Sequence, residues 1–107
     1  MSKLHVIFTA EAQAEFFEAI AWYESSVPDL GKEFSREVIQ ALERAQQQPE
    51  MFRKIRRRAR LIRLKRFKSY SVYFTIKDDI LSVLAVFRGA RNPEELRRRL
   101  NRSDDAA

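Results

Sequence analysis

Ten of the sixteen residues from Arg53 to Lys68 are Lys or Arg, and none is acidic. Guanidinium and ammonium groups at this density bind polyanions: phosphates, or the carboxylates of an acidic polypeptide. The rest of the chain sharpens the contrast. Residues 1–50 carry four basic and nine acidic side chains, whereas residues 51–107 carry seventeen and six. A mildly acidic half is joined to a strongly basic one. Self-repulsion of such a run costs stability, so a compensating partner is expected. Arg88 and Arg91 form a second basic pair further along the chain.

Other chemistries lack their residues. There is no cysteine, so no disulfide, thiol nucleophile or thiolate metal site can form. His5 is the one histidine, which leaves no HExxH pattern and no ordinary triad. Two glycines cannot build a phosphate-cradling loop. No cofactor or metal is expected. Glu11, Glu15 and Glu18 read as a solvated helix face. Met1–Ala10 shows no signal-peptide pattern, and no apolar stretch approaches the ~20 residues of a membrane span. A cytoplasmic location without membrane contact is the expectation.

The elements that must position the cations follow from periodicity. Leu4 to Phe8 reads as a strand, and Thr9 can cap the helix that follows. Ala12, Phe16, Ile20 and Tyr23 fall at helical spacing, and Ser25-Ser26-Val27-Pro28 breaks that helix. Asp29 is placed to cap a second helix along Leu30, Phe34, Val38, Leu42 and Ala45, which ends before Pro49. The short connection makes the two an antiparallel hairpin. Ile55 and Arg56 begin an early strand, with Arg57 to Arg60 as its turn. Ile62 and Leu64 alternate with Arg63 and Lys65, which argues for a strand with a basic, solvated face. Tyr70 to Ile76 is a strand with Tyr73 on its other parity. Lys77-Asp78-Asp79 is a turn, and Ile80 to Phe87 is apolar enough for a central strand. Asn92 can cap a last helix with Pro93 at its first position. Residues 1–102 make one domain and 103–107 a frayed tail. The order β-α-α-β-β-β-α predicts an α+β fold: a helix hairpin on one face of a small twisted antiparallel sheet, with the opposite face open. Phe34, Leu42, Phe74 and Leu84 are expected in its core.

Several pieces, in this order and at these spacings, resemble the RelE/ParE superfamily of toxins from type II toxin–antitoxin pairs, often called plasmid stabilisation proteins. They are the opening strand with Thr9-Ala10-Glu11-Ala12, Trp22-Tyr23, the Phe34 helix ending near Pro49, Arg60 to Phe67, Tyr70-Ser71-Val72-Tyr73-Phe74, and Val86-Phe87-Arg88-Gly89-Ala90-Arg91-Asn92-Pro93. The resemblance implies the α+β fold and two possible activities. The RelE-like branch cleaves messenger RNA in the ribosome with basic residues of the sheet; the ParE-like branch targets DNA gyrase by protein binding. Tyr70 stands where the nucleases commonly carry arginine, and Leu96 near their terminal tyrosine. Arg88 stands where the ParE-like pattern has histidine. The resemblance therefore implies a ParE-like toxin with a cognate antitoxin and DNA gyrase as partners, and no catalytic residues. Arg60, Arg63, Arg88 and Arg91 are the candidate target- or antitoxin-binding residues, with Tyr73 beside them. Asp78, Asp79, Glu94 and Glu95 could instead pair with these arginines internally. The alternative is a ribosome-dependent endoribonuclease acting on messenger RNA, in which Lys54, Arg63 and Tyr73 would take part. A non-toxic nucleic-acid-binding module is a third reading.

Overall fold

The computed structural model describes residues 4–89 and 93–105, with side chains to Arg102. The elements run β1 (His5–Phe8), α1 (Ala10–Ser26), α2 (Leu30–Gln47), a 3-10 turn (Pro49–Met51), β2 (Lys54–Arg56), β3 (Ala59–Arg63), β4 (Tyr70–Lys77), β5 (Ile80–Arg88) and α3 (Pro93–Asp105). The class is α+β. The strand order is β1-β5-β4-β3-β2. β2 to β5 pair antiparallel with their neighbours, but β1 joins β5 in parallel. The sheet is therefore mixed rather than wholly antiparallel. Here β1 reaches its place through the helix hairpin, the kind of long crossover that parallel pairing needs.

Thr9 caps α1 as its position predicts, its hydroxyl accepting from the Ala12 N–H at 3.1 Å. The start of α2 differs. Asp29 lies in the left-handed region at φ 70° and its side chain makes no cap. The Glu24 carboxylate supplies the cap from the end of α1, accepting from the Asp29 and Gly31 N–H groups at 2.8 and 2.9 Å. Gly31 itself is dictated by the crossing of the two helices. A Cβ there would stand 2.6 Å from the Ile20 carbonyl oxygen.

The hairpin covers one sheet face. Ala12, Phe16, Ala19 and Tyr23 of α1, and Phe34, Val38, Leu42 and Ala45 of α2, meet Ile62, Val72, Phe74, Leu81, Val83 and Val86. Phe34, Leu42, Phe74 and Leu84 are all buried, as their pattern predicts. Leu84, however, belongs to a second cluster on the opposite face. A bulge after Tyr73 leaves Leu84 as the unmatched residue between Val83 and Ala85. Asp78 and Asp79 both take positive φ in the β4–β5 turn, the signature of a tight type I′ hairpin.

Three expectations need correction. Ala59 to Arg63 form one strand, so Arg60 is a strand residue and only Arg57-Arg58 turn. Lys54–Arg56 is a separate short edge strand, so the sheet has five strands. The face opposite the hairpin is not open: Leu96 and Leu100 of α3 pack there on Ala59, Leu84, Ala85 and Phe87. α3 runs on to Asp105. Asn92, the expected cap, lies outside the described residues.

Candidate interaction surfaces and the arginines that line them

Strand register assigns each candidate arginine to a face, because residues directly opposite one another point the same way. Arg60 opposes Phe74 and so shares the hairpin side. Its guanidinium donates to the Phe52 carbonyl oxygen at 2.7 Å, tying β3 to the segment after the 3-10 turn. Arg63 opposes Ser71 and points the other way, exposed to solvent. Tyr73 lies on that second face as well. It is half-buried, with its ring 5.6 Å from Phe87, and burial pushes its phenol upward while Arg63 pulls it down. The tyrosine is thus a neutral, packed phenol beside α3 rather than a residue on an open face. Arg88 opposes Tyr70 and returns to the hairpin side. Arg91 lies outside the described residues. The candidates therefore do not form one basic face: Arg60 and Arg88 project on one side, Arg63 and Tyr73 on the other.

Arg88 has the most defined surroundings of the four. Its guanidinium sits 4.3 Å from the centroid of the Trp22 ring, a cation–π contact at the end of α1. Trp22 is 42% exposed and meets Tyr23 edge-on at 5.0 Å. Tyr23 continues into Phe34, Phe67 and Tyr70, an aromatic block that fixes the Trp22 end of the hairpin. Burial raises the Tyr23 hydroxyl above its ordinary value. Below Arg88 a cleft of about 490 Å³ runs between α1 and α3 along β5, lined by Glu15, Glu18, Tyr70, Arg88, Glu95 and Arg99.

The floor of that cleft exposes what sequence reasoning missed. β1 ends at Phe8, opposite Val83, so β5 continues without a strand neighbour on that side. Two side chains take the place of the missing strand. Glu15 accepts from the Val86 N–H at 3.0 Å, and Arg99 donates to the Leu84 carbonyl oxygen at 3.0 Å. Arg99 also forks onto Glu15 at 3.0 and 2.8 Å and reaches Glu95 at 2.7 Å. Arg99 is buried, with its guanidinium 4.9 Å from the Phe87 ring centroid. Arg98 joins Glu11 to Glu95, and Arg102 pairs with Glu11. The arginines hold the Glu95 carboxyl down to about 2, and Arg102 foremost lowers that of Glu11. Glu11 and Glu15 are thus the anchor of α3 and not a solvated face. One signal was available: Glu11 and Glu15 repeat at one helical turn, and Arg98 and Arg102 repeat at the same interval.

Two of the four alternative internal partners of the candidate arginines are engaged elsewhere. Glu94 pairs with Arg97, and Glu95 with Arg98 and Arg99. Among the described residues no group of acidic, His or Cys side chains could hold a metal ion. Among them too, no helix is long and apolar enough to cross a membrane.

A hairpin of two helices on a small mixed sheet, with an arginine-bearing cleft at its end, defines a small α+β module. The fold is similar to a solved structure described as the chromosomal ParDE TA system from P. aeruginosa: TM-score 0.68, 17% identity, 80% of this chain and 96% of that one. Among curated proteins none matches. Residues 6–93 match the family model of the ParE toxin of the type II toxin-antitoxin system parDE, and the chain belongs to that family. The match stops where α3 begins.

Proposed function

We propose that this ParE toxin acts in the cytoplasm by binding DNA gyrase, and that a cognate antitoxin neutralises it. The observation that carries this reading is the family match across residues 6–93, joined to the site it contains: Arg88 stacked on the exposed Trp22 at the mouth of the α1–α3 cleft. Binding, not chemistry, fits these side chains. The single histidine is on β1, the sheet edge opposite the basic β2–β3 hairpin. Tyr73 is packed and neutral, which does not suit a general base at neutral pH.

The antitoxin segment that fits is amphipathic. Phe17, Trp22 and Val27 are exposed apolar groups along α1 and its end, and they offer an anchor for an apolar helix face. Acidic residues of the same segment would meet the exposed cations of the sheet. Such a complex weakens only in part at high salt, because the apolar anchor is not screened.

The deciding experiment adds the purified chain to a gyrase supercoiling assay and, in parallel, to a translation extract. Inhibited supercoiling with intact messenger RNA is expected. Codon-positioned transcript cleavage with gyrase untouched would establish the RelE-like nuclease reading instead. Arg88→Ala should weaken gyrase binding by ~1–3 kcal/mol, the range of charge-assisted hydrogen bonds. Its own stability should fall by no more than the ~0.5–1 kcal/mol of an exposed cation–π contact.

A further inference from the structure

The ten cations between Arg53 and Lys68 do not share one environment. Arg60 is spent on the Phe52 carbonyl, and Arg66 on Glu33. Lys54 and Arg56 lie on the edge strand β2, where charge protects an open edge from pairing with other chains. Arg63, Lys65 and Lys68 differ from these. All three are exposed, and no ion pair found among the described residues includes them. They line one cleft of about 280 Å³ together with Leu64, Tyr70 and Ser71.

This cleft is built on a braced loop. Leu64 and Phe67 are buried, and Phe67 meets Tyr23 and Phe34 edge-on at 4.9 and 5.3 Å. The Arg66 N–H donates to Glu37 at 3.3 Å, and the Tyr70 N–H to the Phe67 carbonyl at 3.1 Å. Lys65 and Lys68 leave the loop between these anchors. Arg63 ends β3 directly opposite Ser71 at the start of β4. Three cationic residues and Ser71 thus border one cleft, from two strand ends and the loop between them, and apolar atoms make up most of its exposed wall.

We infer that this cleft binds a terminal phosphate group, a phosphomonoester or pyrophosphate. The charge argument favours it over a carboxylate. A phosphomonoester carries about −1.5 to −2 at neutral pH and three strong acceptor oxygens. A carboxylate carries one charge, which a single arginine fork satisfies. Arg63 supplies a planar fork, Lys65 and Lys68 supply mobile point charges, and the Ser71 hydroxyl can donate to a remaining oxygen. The apolar wall, to which Leu64 and Tyr70 contribute, is the larger part of the lining and suits the carbon atoms next to the phosphate. The volume lies just under the ~300–1,000 Å³ of most small-molecule sites. It therefore admits a phosphate with a small body, or the phosphorylated end of a longer strand. This site uses neither Trp22 nor Arg88; Tyr70 borders both clefts, and Arg63 is also one of the sheet cations open to the antitoxin.

Thermal melting and direct titration of the full chain test the inference, with four probes: sodium pyrophosphate, glycerol 2-phosphate, polyglutamate, and a short single-stranded oligonucleotide with and without a 5′-phosphate. Pyrophosphate and glycerol 2-phosphate should both bind and raise the melting temperature. Lys65→Ala and Lys68→Ala should each weaken pyrophosphate binding by about three- to tenfold, with the ligand-free melting temperature unchanged. Arg44→Ala removes one positive charge from an exposed site near the far end of α2 and should change binding less than about twofold. Discrimination by the oligonucleotide in favour of its 5′-phosphate would make the strand end a ligand; equal binding of both forms restricts the site to small phosphates. An equal loss in Arg44→Ala, polyglutamate binding as tight as pyrophosphate, or no binding of pyrophosphate would each overturn the assignment.

Discussion

Two groups of cations in this molecule have opposite fates. On α3, Arg97, Arg98, Arg99 and Arg102 each contact a carboxylate, and Arg99 adds a carbonyl and an aromatic ring. At the β3–β4 end, Arg63, Lys65 and Lys68 border one cleft without such a pair among the described residues. Composition does not separate the groups, since both are basic runs with short spacing. Location does. α3 packs on the sheet face opposite α1, and Arg98, Arg99 and Arg102 reach past the end of β1 to Glu11 and Glu15 of α1, so these charges are consumed in building the fold. The β3–β4 loop turns its two acidic neighbours, Glu33 and Glu37, toward Arg66. Its remaining charges are left for a ligand. A basic run thus becomes a functional statement only after its internal partners have been assigned.

The largest test of this division is Arg99→Ala. Breaking a buried ion pair by removing one partner typically costs 3–5 kcal/mol. Glu15 keeps the Val86 N–H and its side chain is 23% exposed, so the cost here should be about 2–3 kcal/mol. The denaturant midpoint measures it. Arg99→Lys should recover only part, because an ammonium group cannot fork onto Glu15 while reaching the Leu84 carbonyl. A midpoint unchanged in both variants would show that α3 is held by Leu96 and Leu100 alone.

Acid should separate the two groups next. Glu95 is held down to about 2 and Glu11 is lowered by its arginine contacts, both from an ordinary 4.5. A depressed carboxyl contributes stability that is complete above its unfolded pKa and is lost as pH falls through its folded one. Glu95 holds Arg98 and Arg99 within α3 itself, whereas Glu11 joins α3 to α1. The docking of α3 should therefore be complete above about pH 4.5 and weaken as Glu11 is protonated below it, with the pairs inside α3 persisting toward pH 2. Amide exchange resolved along the chain measures this: α3 and the start of α1 should lose protection before the Phe34–Phe74 core. Simultaneous loss everywhere would mean that α3 is no separate unit of stability.

Much of this architecture was legible in the sequence. The two long helices announced themselves through apolar spacing bounded by Thr9, Pro28 and Pro49, and β4 through the strict alternation of Tyr70 to Ile76. Arg60 was misread for a definite reason. It shares parity with Ile62, which places it on the core side, but assigning it to a turn hid that parity. Tyr73 lies on the face its alternation predicts, but that face is not open, because Leu96 and Leu100, one helical turn apart, cover part of it. The pairing of Glu15 with Arg99 joins residues 84 positions apart. No local pattern fixes such a register; it depends on where β1 stops and leaves β5 with unmatched backbone groups.

The smallest expected effect sharpens the comparison most. Neutralising the cleft cations should not destabilise the protein, since they hold nothing in place. Surface substitutions of this kind stay within about ±0.5 kcal/mol. The sign should be positive or zero, because removing one of three neighbouring like charges relieves repulsion. Arg63→Ser is the sharpest choice: it removes the cation opposite Ser71 and leaves β3 and its buried Ile62 intact. Repeating the melt at raised salt tests the origin of any gain, because screening should erase a repulsive contribution. A loss above about 1 kcal/mol would place Arg63 with Arg99, as a charge the fold consumes, and would end the division between the two groups.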